Sequence, residues 1–208
     1  MERRKFLLTS LLASPLAGLA KFNLVAEKET SDRPDKGIVV KANESRFFGK
    51  KTLPKGTYGR CILSSTDTEK QLFISSGTDL TYKKKGGPPL HIHHKDDEVF
   101  YVISGEFLFQ MDDEFILAKT GDTVFCPRGS AHTFSNPIEN NPGNMLIVHQ
   151  PISPELEKFY DIFFQDGYLS ENHLKELLTA DELKTLMTNN PFVGPPIDID
   201  AALAKLKG

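Results

Sequence analysis

Gly86–Gly105, GGPPLHIHHKDDEVFYVISG, is the stretch on which the reading of this chain turns. Three of the six histidines in the protein stand here, at positions 91, 93 and 94. Side chains along a strand alternate between faces, so His91 and His93 project one way while Ile92 and His94 project the other. Glu98 follows, then the apolar run Val99–Ile103, closed by Ser104-Gly105. Two imidazoles on one face, with a carboxylate arriving from the next strand, make a site for a transition metal. A solvated polar strand would leave both the paired spacing and the carboxylate without a reason.

Length and composition frame that site. The chain has 208 residues, 39% of them hydrophobic, with 15 Phe and no Trp. That is enough for one domain with decoration rather than two full cores. A net charge of −3 and a pI near 6.1 provide no field for a nucleic-acid partner. The triplet Lys83–Lys85 reads as a solvated loop. Cys61 and Cys126 form no CxxC, so neither a zinc ribbon nor a redox dithiol is encoded, and both read as small buried side chains. Export would allow them to pair if the fold brought them within bonding distance.

The chain starts with Arg3-Arg4-Lys5-Phe6-Leu7-Leu8, which resembles a twin-arginine export signal. The stretch from Phe6 to Ala20 is short and is interrupted by Thr9, Ser10, Ser14, Pro15 and Gly18, which disfavours a membrane span. Gly18-Leu19-Ala20 offers small residues to a signal peptidase. Residues 1–20 are therefore expected as a signal peptide directing the protein to the periplasm or beyond, with no stable membrane anchor after processing. Residues 21–36, including Asp32-Arg33-Pro34-Asp35, read as a polar spacer.

Strand signals then fill 37–151. Gly37–Val40 is a short first strand, Asn43–Lys50 a polar connection, and Lys51–Tyr58 a loop. Strands are expected at Arg60–Ser65, Gln71–Ser76 with Thr78–Lys83, Leu90–His94, Val99–Ile103, Glu106–Met111, Glu114–Ala118, Thr123–Cys126, Ala131–Asn136 and Asn144–His149. Val99–Ile103 and Glu106–Met111 read as a hairpin around Ser104-Gly105. Short strands separated by Gly, Pro and Asp indicate an antiparallel sandwich or barrel. From 152 to 208 the period becomes helical. Ser153-Pro154-Glu155 is a capped start, and Leu156, Phe159, Tyr160 and Phe163 share one face. Thr179 and Glu182 form a capping box. Helices are expected at Ser170–Leu178, Thr179–Met187 and Asp200–Leu206, covering a barrel face or a partner subunit.

A second string carries as much weight: Gly121-Asp-Thr-Val-Phe-Cys-Pro127-Arg-Gly129-Ser-Ala-His132-Thr-Phe-Ser-Asn136. His91-x-His93, Glu98 and Gly105 at their spacing resemble the first signature of the cupin superfamily. Gly121, Pro127-x-Gly129, His132 and Asn136 resemble the second. Only the leading glycine of the first departs, its place taken approximately by Gly86-Gly87. The resemblance covers about Leu53 to Pro151. It implies a mainly β fold, a single cupin jelly-roll barrel (a double-stranded β-helix), here followed by C-terminal helices. It also implies one divalent metal held by His91, His93, Glu98 and His132, with positions left open for substrate or oxygen. Iron, manganese, nickel, cobalt and zinc all suit such a donor set. Asn136 is expected to brace the barrel and Pro127 to fix the loop that aims His132. His94 faces away from the metal. His149 and His173 default to structural or solvated roles, and Asp96 and Asp97 to a turn beside the site.

Phe100 and Val102 share the inward face of Glu98, and Phe134 that of His132, so these three are candidate walls of a substrate pocket. Phe107 and Phe109 share a face of their own. Such a lining favours an apolar or aromatic small molecule. Arginine beyond the start is limited to positions 33, 46, 60 and 128, too sparse for a phosphosugar or oxalate pocket. Pro89-Leu-His91-Ile-His93, Asp97–Val102 and the tail Phe192–Pro196 are similar to single-domain quercetin-dioxygenase-like cupins. That likeness implies a dioxygenase acting on a flavonol-like or other enolisable aromatic compound, with Glu98 as both ligand and catalytic proton acceptor. A cupin that holds metal and binds a small molecule without turnover is one alternative, and a metal-dependent isomerase or lyase is another. A homodimer is expected because such barrels commonly pair through sheet edges.

Overall fold

The structure, a computed structural model, describes residues 33–52, 59–80, 85–166 and 171–207. The expected signal peptide, most of the polar spacer and the loop at 53–58 lie outside them. So does the side chain of His173.

Among the described residues, eleven strands and four α-helices follow one another: β1 (Gly59–Leu63), β2 (Phe73–Leu80), β3 (Lys85–Gly86), β4 (His91–Ile92), β5 (Asp97–Ser104), β6 (Glu106–Met111), β7 (Glu114–Lys119), β8 (Thr123–Cys126), β9 (Ala131–Ser135), β10 (Gly143–Gln150), α1 (Pro154–Asp166), α2 (Glu171–Leu177), α3 (Ala180–Asn189), β11 (Ile197–Asp198) and α4 (Ile199–Lys207). Every pairing among them is antiparallel. One sheet runs β1-β2-β10-β5-β8 and the facing sheet β4-β9-β6-β7. Strands distant in sequence neighbour one another in both, which is the jelly-roll connectivity of the cupin barrel.

Two sequence expectations change. Val99–Ile103 and Glu106–Met111 do not form a hairpin, because β5 pairs with β10 and β8 while β6 pairs with β7 and β9. At Gly105 the chain crosses from one sheet to the other. The crossing lets Phe100 and Val102 of β5 meet Phe107 and Phe109 of β6 across the barrel interior, which a flat hairpin would prevent. Gly37–Val40 forms no strand, and Val39 is 77% exposed.

Alternation sorts the side chains as expected on β5. Glu98, Phe100 and Val102 are buried, whereas Tyr101 and Ile103 are exposed. The interior is packed by Phe100, Val102, Phe107, Phe109, Ala118, Val124, Cys126, Met145 and Ile147, with Met111 and Phe134 against them. Phe100 stands 5.1 Å from Phe109 and 5.3 Å from Phe134, ring centre to ring centre, in tilted contacts that suit aromatic quadrupoles. Each buried ring stabilises the fold by roughly 1.5–3 kcal/mol. Cys61 and Cys126 are buried free thiols, consistent with their reading as packing residues.

The helices cover the barrel, as their apolar faces require. Leu156, Ile162 and Phe164 of α1 pack with Phe47, Cys61 and Phe73, and Leu186 of α3 joins them. Ile199, Ala202 and the half-buried Leu203 of α4 lie on Leu108, on the outer face of the second sheet. Ser153 caps α1 by accepting the Leu156 N–H at 3.1 Å, and Thr179 with Glu182 closes the expected capping box of α3. Between α3 and β11 the tail lies along β4: Ile92 N–H donates to Pro191 O at 3.1 Å and Val193 N–H to Leu90 O at 2.7 Å. No helix among the described residues is long and apolar enough to cross a membrane.

Glu157 anchors α1. Its side chain is fully buried; one oxygen accepts from Phe48 N–H at 2.8 Å and Ser64 Oγ–H at 2.7 Å, the other from Ser65 N–H at 2.9 Å. Truncation would leave three donors facing a gap. Glu157→Ala is therefore expected to lower the unfolding free energy in urea by about 3 kcal/mol. A loss well under 1 kcal/mol, on the order of an exposed substitution, would refute the anchoring role.

Candidate metal centre

The two sheets bring the four expected residues together. β4 carries His91, His93 stands just beyond its end, β5 carries Glu98 and β9 carries His132. The β4–β9 register sets His91 opposite His132, so two imidazoles meet across one ladder. Glu98 reaches them from the other sheet. One donor atom from each of the four lies within 4.8 Å of the others. His91, His93, Glu98 and His132 are all nearly inaccessible to solvent, whereas His94 is exposed, so the strand phase read from alternation holds.

Each imidazole is held by its Nδ1. His91 Nδ1 is 2.8 Å from Pro89 O, His132 Nδ1 is 3.1 Å from Ser130 O, and His93 Nδ1 is 2.6 Å from Asn190 Oδ1. The acceptors are oxygens, so each Nδ1 donates and each Nε2 is the ring atom left to face a metal. Asn190 is itself fixed, since its Nδ2 donates to Leu186 O at 3.1 Å at the end of α3. Glu98 Oε2 sits 2.7 Å from His132 Nε2 and 3.2 Å from His93 Nε2.

This donor set fits a divalent transition metal. His93 Nε2 is a buried polar atom without a hydrogen-bond partner, which is costly unless something else is coordinated there. Three imidazole nitrogens and one carboxylate oxygen are a first-row donor set. Burial, with the neighbouring His132 and His93 charges, pushes His91 down to about 3, so its ring is a neutral ligand at ordinary pH. Burial works against the charge on Glu98, yet the charge of His149 and the close approach of His132, His149 and His93 hold its carboxyl well below the usual range. It is an anion.

His149, expected to be structural or solvated, belongs to this site. The β5–β10 register places it directly opposite Glu98. Its Nε2 is 3.1 Å from Glu98 Oε1 and 2.8 Å from the Tyr160 hydroxyl, and its Nδ1 is 2.6 Å from Asp96 Oδ2. Burial lowers its basicity, but Glu98 on one side and Asp96 on the other outweigh that and raise it to about 10. Asp96, expected in a turn, is buried and bonded here, and Asp97, expected in the same turn, is the first residue of β5 and the partner of Arg128 at 2.6 Å. His93, Asp96 and His149 also form a second close group. Their hydrogen bonds already occupy its donor atoms: Asp96 with His149, and His93 Nδ1 with Asn190. A signal for His149 existed. Met145, Ile147 and His149 share one parity, so an inward Met145 and Ile147 imply an inward His149. No local signal marks Tyr160 or Asn190, which arrive from helices far along the chain.

The remaining candidates fall as follows. Phe100 and Val102 are wholly buried in the ring cluster, and the half-buried Phe134 packs against Phe100, Phe107 and Phe109. Phe107 and Phe109 point inward. Asn136 accepts Ile138 N–H and donates to Asn141 O, bracing the loop before β10. Gly129, at φ +88°, turns the chain so that its N–H reaches His93 O at 2.7 Å. Gly87, at φ +87°, lies so close to the Phe134 carbonyl that an added Cβ would come within 1.7 Å of it.

Residues 78–149 match the cupin domain family. The uncharacterized protein MJ1618 of Methanocaldococcus jannaschii is 34% identical over 62 residues, 30% of this chain and 49% of that protein, so the chain spans about half the relative's length. Among solved structures, KdgF from Halomonas sp. is 14% identical with a TM-score of 0.40, covering 47% of this chain and 81% of its own. An RmlC-like cupin from Shewanella frigidimarina is 19% identical with a TM-score of 0.39, covering 50% and 85%.

His93→Ala and His132→Ala are each expected to reduce metal content in elemental analysis by about tenfold or more while far-UV circular dichroism stays that of the folded barrel. His94→Ala should retain full occupancy. Metal retained by both inward variants would remove these residues from the site. Gly87→Ala should fail to reach the native thermal midpoint, because the clash is with backbone rather than with a movable side chain; a native midpoint would contradict the close approach.

Proposed function

Because residues 78–149 of this chain are a cupin domain, we propose that it is a metal-dependent dioxygenase acting on an enolisable aromatic small molecule of the flavonol type. The observation that supports this most is the meeting of three imidazole Nε2 atoms and Glu98 Oε2 in a buried interior faced by phenylalanine. No lysine or arginine is among the buried charged side chains of the described residues, which disfavours phosphorylated or dicarboxylate substrates.

A divalent transition metal bound there supplies Lewis acidity toward an enol or phenol oxygen and one-electron chemistry toward dioxygen. His91, His93 and His132 would hold that ion, each oriented through its Nδ1 contact. Glu98 accepts the proton that the substrate hydroxyl gives up. Phe100 and Phe109 would exclude water from the reacting groups, and the half-buried Phe134 would offer a face for an aromatic ring. Both atoms of dioxygen enter the product, so no external reductant is needed.

A cupin that holds its metal and binds a smaller molecule without turnover is the alternative, since Phe100, Phe107 and Phe109 are at most 1% exposed and touch one another or Phe134 in the interior that a flavonol would have to enter. Oxygen-electrode measurements separate the two. Protein loaded in turn with iron, manganese, nickel and cobalt should consume oxygen with quercetin or a related enol, and Glu98→Gln should lower that rate by about 100-fold or more. Tight binding of those compounds by calorimetry without any oxygen uptake would establish the binder instead.

A further inference from the structure

We propose that Asp96, His149 and Tyr160 form a clamp on the outer oxygen of Glu98, fixing this carboxylate as a one-oxygen ligand and keeping a metal coordination position free. The inference rests on the metal-centre reading and adds to it three positioning residues, one of them from α1.

The two oxygens of Glu98 live in separate surroundings. Oε2 faces His132 Nε2 at 2.7 Å and His93 Nε2 at 3.2 Å. Oε1 faces the other way, 3.1 Å from His149 Nε2 and 3.5 Å from the Tyr160 hydroxyl. A carboxylate with both oxygens free swings onto a metal and chelates it. One whose outer oxygen is held by donors offers only the inner oxygen, and the second position stays available to a substrate or dioxygen.

The clamp is itself immobilised, as a positioning device must be. His149 is wholly inaccessible to solvent, with its Nδ1 tied to Asp96 Oδ2 at 2.6 Å and its ring edge-on to His93 at 5.0 Å. Tyr160 stacks on Phe73 at 5.6 Å with an interplanar angle of 23°, and its hydroxyl lies 2.8 Å from His149 Nε2. Phe73 is buried in the cluster that docks α1 onto the barrel. Helix packing thus sets the position of a hydroxyl beside a metal ligand, although α1 lies outside the cupin match at 78–149.

Cobalt(II) is the probe, because its visible absorption is strong at low coordination number and weak when six ligands bind. Full-length protein, Tyr160→Phe, His149→Gln and Glu157→Gln are titrated with cobalt(II) and read by absorption and by calorimetric Kd. Tyr160→Phe keeps the ring stack and removes one oxygen atom. It and His149→Gln are expected to weaken cobalt binding about tenfold and to shift the absorption toward the weak six-coordinate form. Glu157→Gln weakens the docking of the same helix without removing a group from Glu98, and should lower the thermal midpoint while weakening cobalt binding less than Tyr160→Phe does. If the unaltered protein binds cobalt and Tyr160→Phe, folded by circular dichroism, shows the same Kd and spectrum, the clamp is overturned and the metal centre stands. If the unaltered protein binds no cobalt, the metal centre falls and the clamp falls with it. Should His149→Gln not fold, Tyr160→Phe alone decides.

Discussion

A carboxylate buried inside a β-barrel is the constraint to which the rest of this structure answers. Removing an ionised group from water costs several kcal/mol unless every lone pair finds a partner. Glu98 is 2% exposed, and its two oxygens are met by four groups: His93, His132, His149 and Tyr160. No single element can surround one carboxylate in this way. The facing sheet has to supply two imidazoles, the neighbouring strand a third, and a helix the hydroxyl. The architecture around the site follows from that need, with apolar packing supplying the framework.

Metal ligation and barrel closure are therefore aspects of one arrangement. The β4–β9 ladder that joins His91 to His132 is short, and it is reinforced from outside by the tail at 189–195, which bonds along β4. The same tail delivers Asn190 to His93. Asp97 and Arg128 tie the turn before β9 to the start of β5, linking the loop that aims His132 to the strand that carries Glu98. His93, through Asn190, and Glu98, through His149 and Tyr160, are thus secured by elements other than their own, whereas His91 and His132 are held by carbonyls two residues upstream. Such outer contacts are what distinguish a preorganised donor set from a cluster of polar residues.

Much of this was legible beforehand, for a physical reason. Side-chain alternation in a strand is a local rule, so His91 and His93 inward, His94 outward and Phe100 with Val102 beside Glu98 could all be read from parity. Capping is local too, and both Ser153 and the Thr179–Glu182 box stand where they were expected. Pairing is not local. A Ser-Gly turn between two apolar runs looks the same whether the second strand returns to the first sheet as a hairpin or, as at Gly105, passes to the other. His149 was set aside because it lies in neither spaced motif. Its role exists only through the register that puts β10 beside β5.

The sequence by itself determined the strand parity, which depends on the twofold repeat of a strand, and its resemblance to the cupin signatures implied the four donors and the jelly-roll class. Only the tertiary structure decided which groups complete the site. Tyr160 lies 62 residues from Glu98 and Asn190 lies 97 from His93, and neither carries a mark in its own neighbourhood of what it will touch. Helix docking places them, and docking is governed by the summed packing of surfaces such as Phe47, Phe73, Leu156 and Phe164 rather than by any motif.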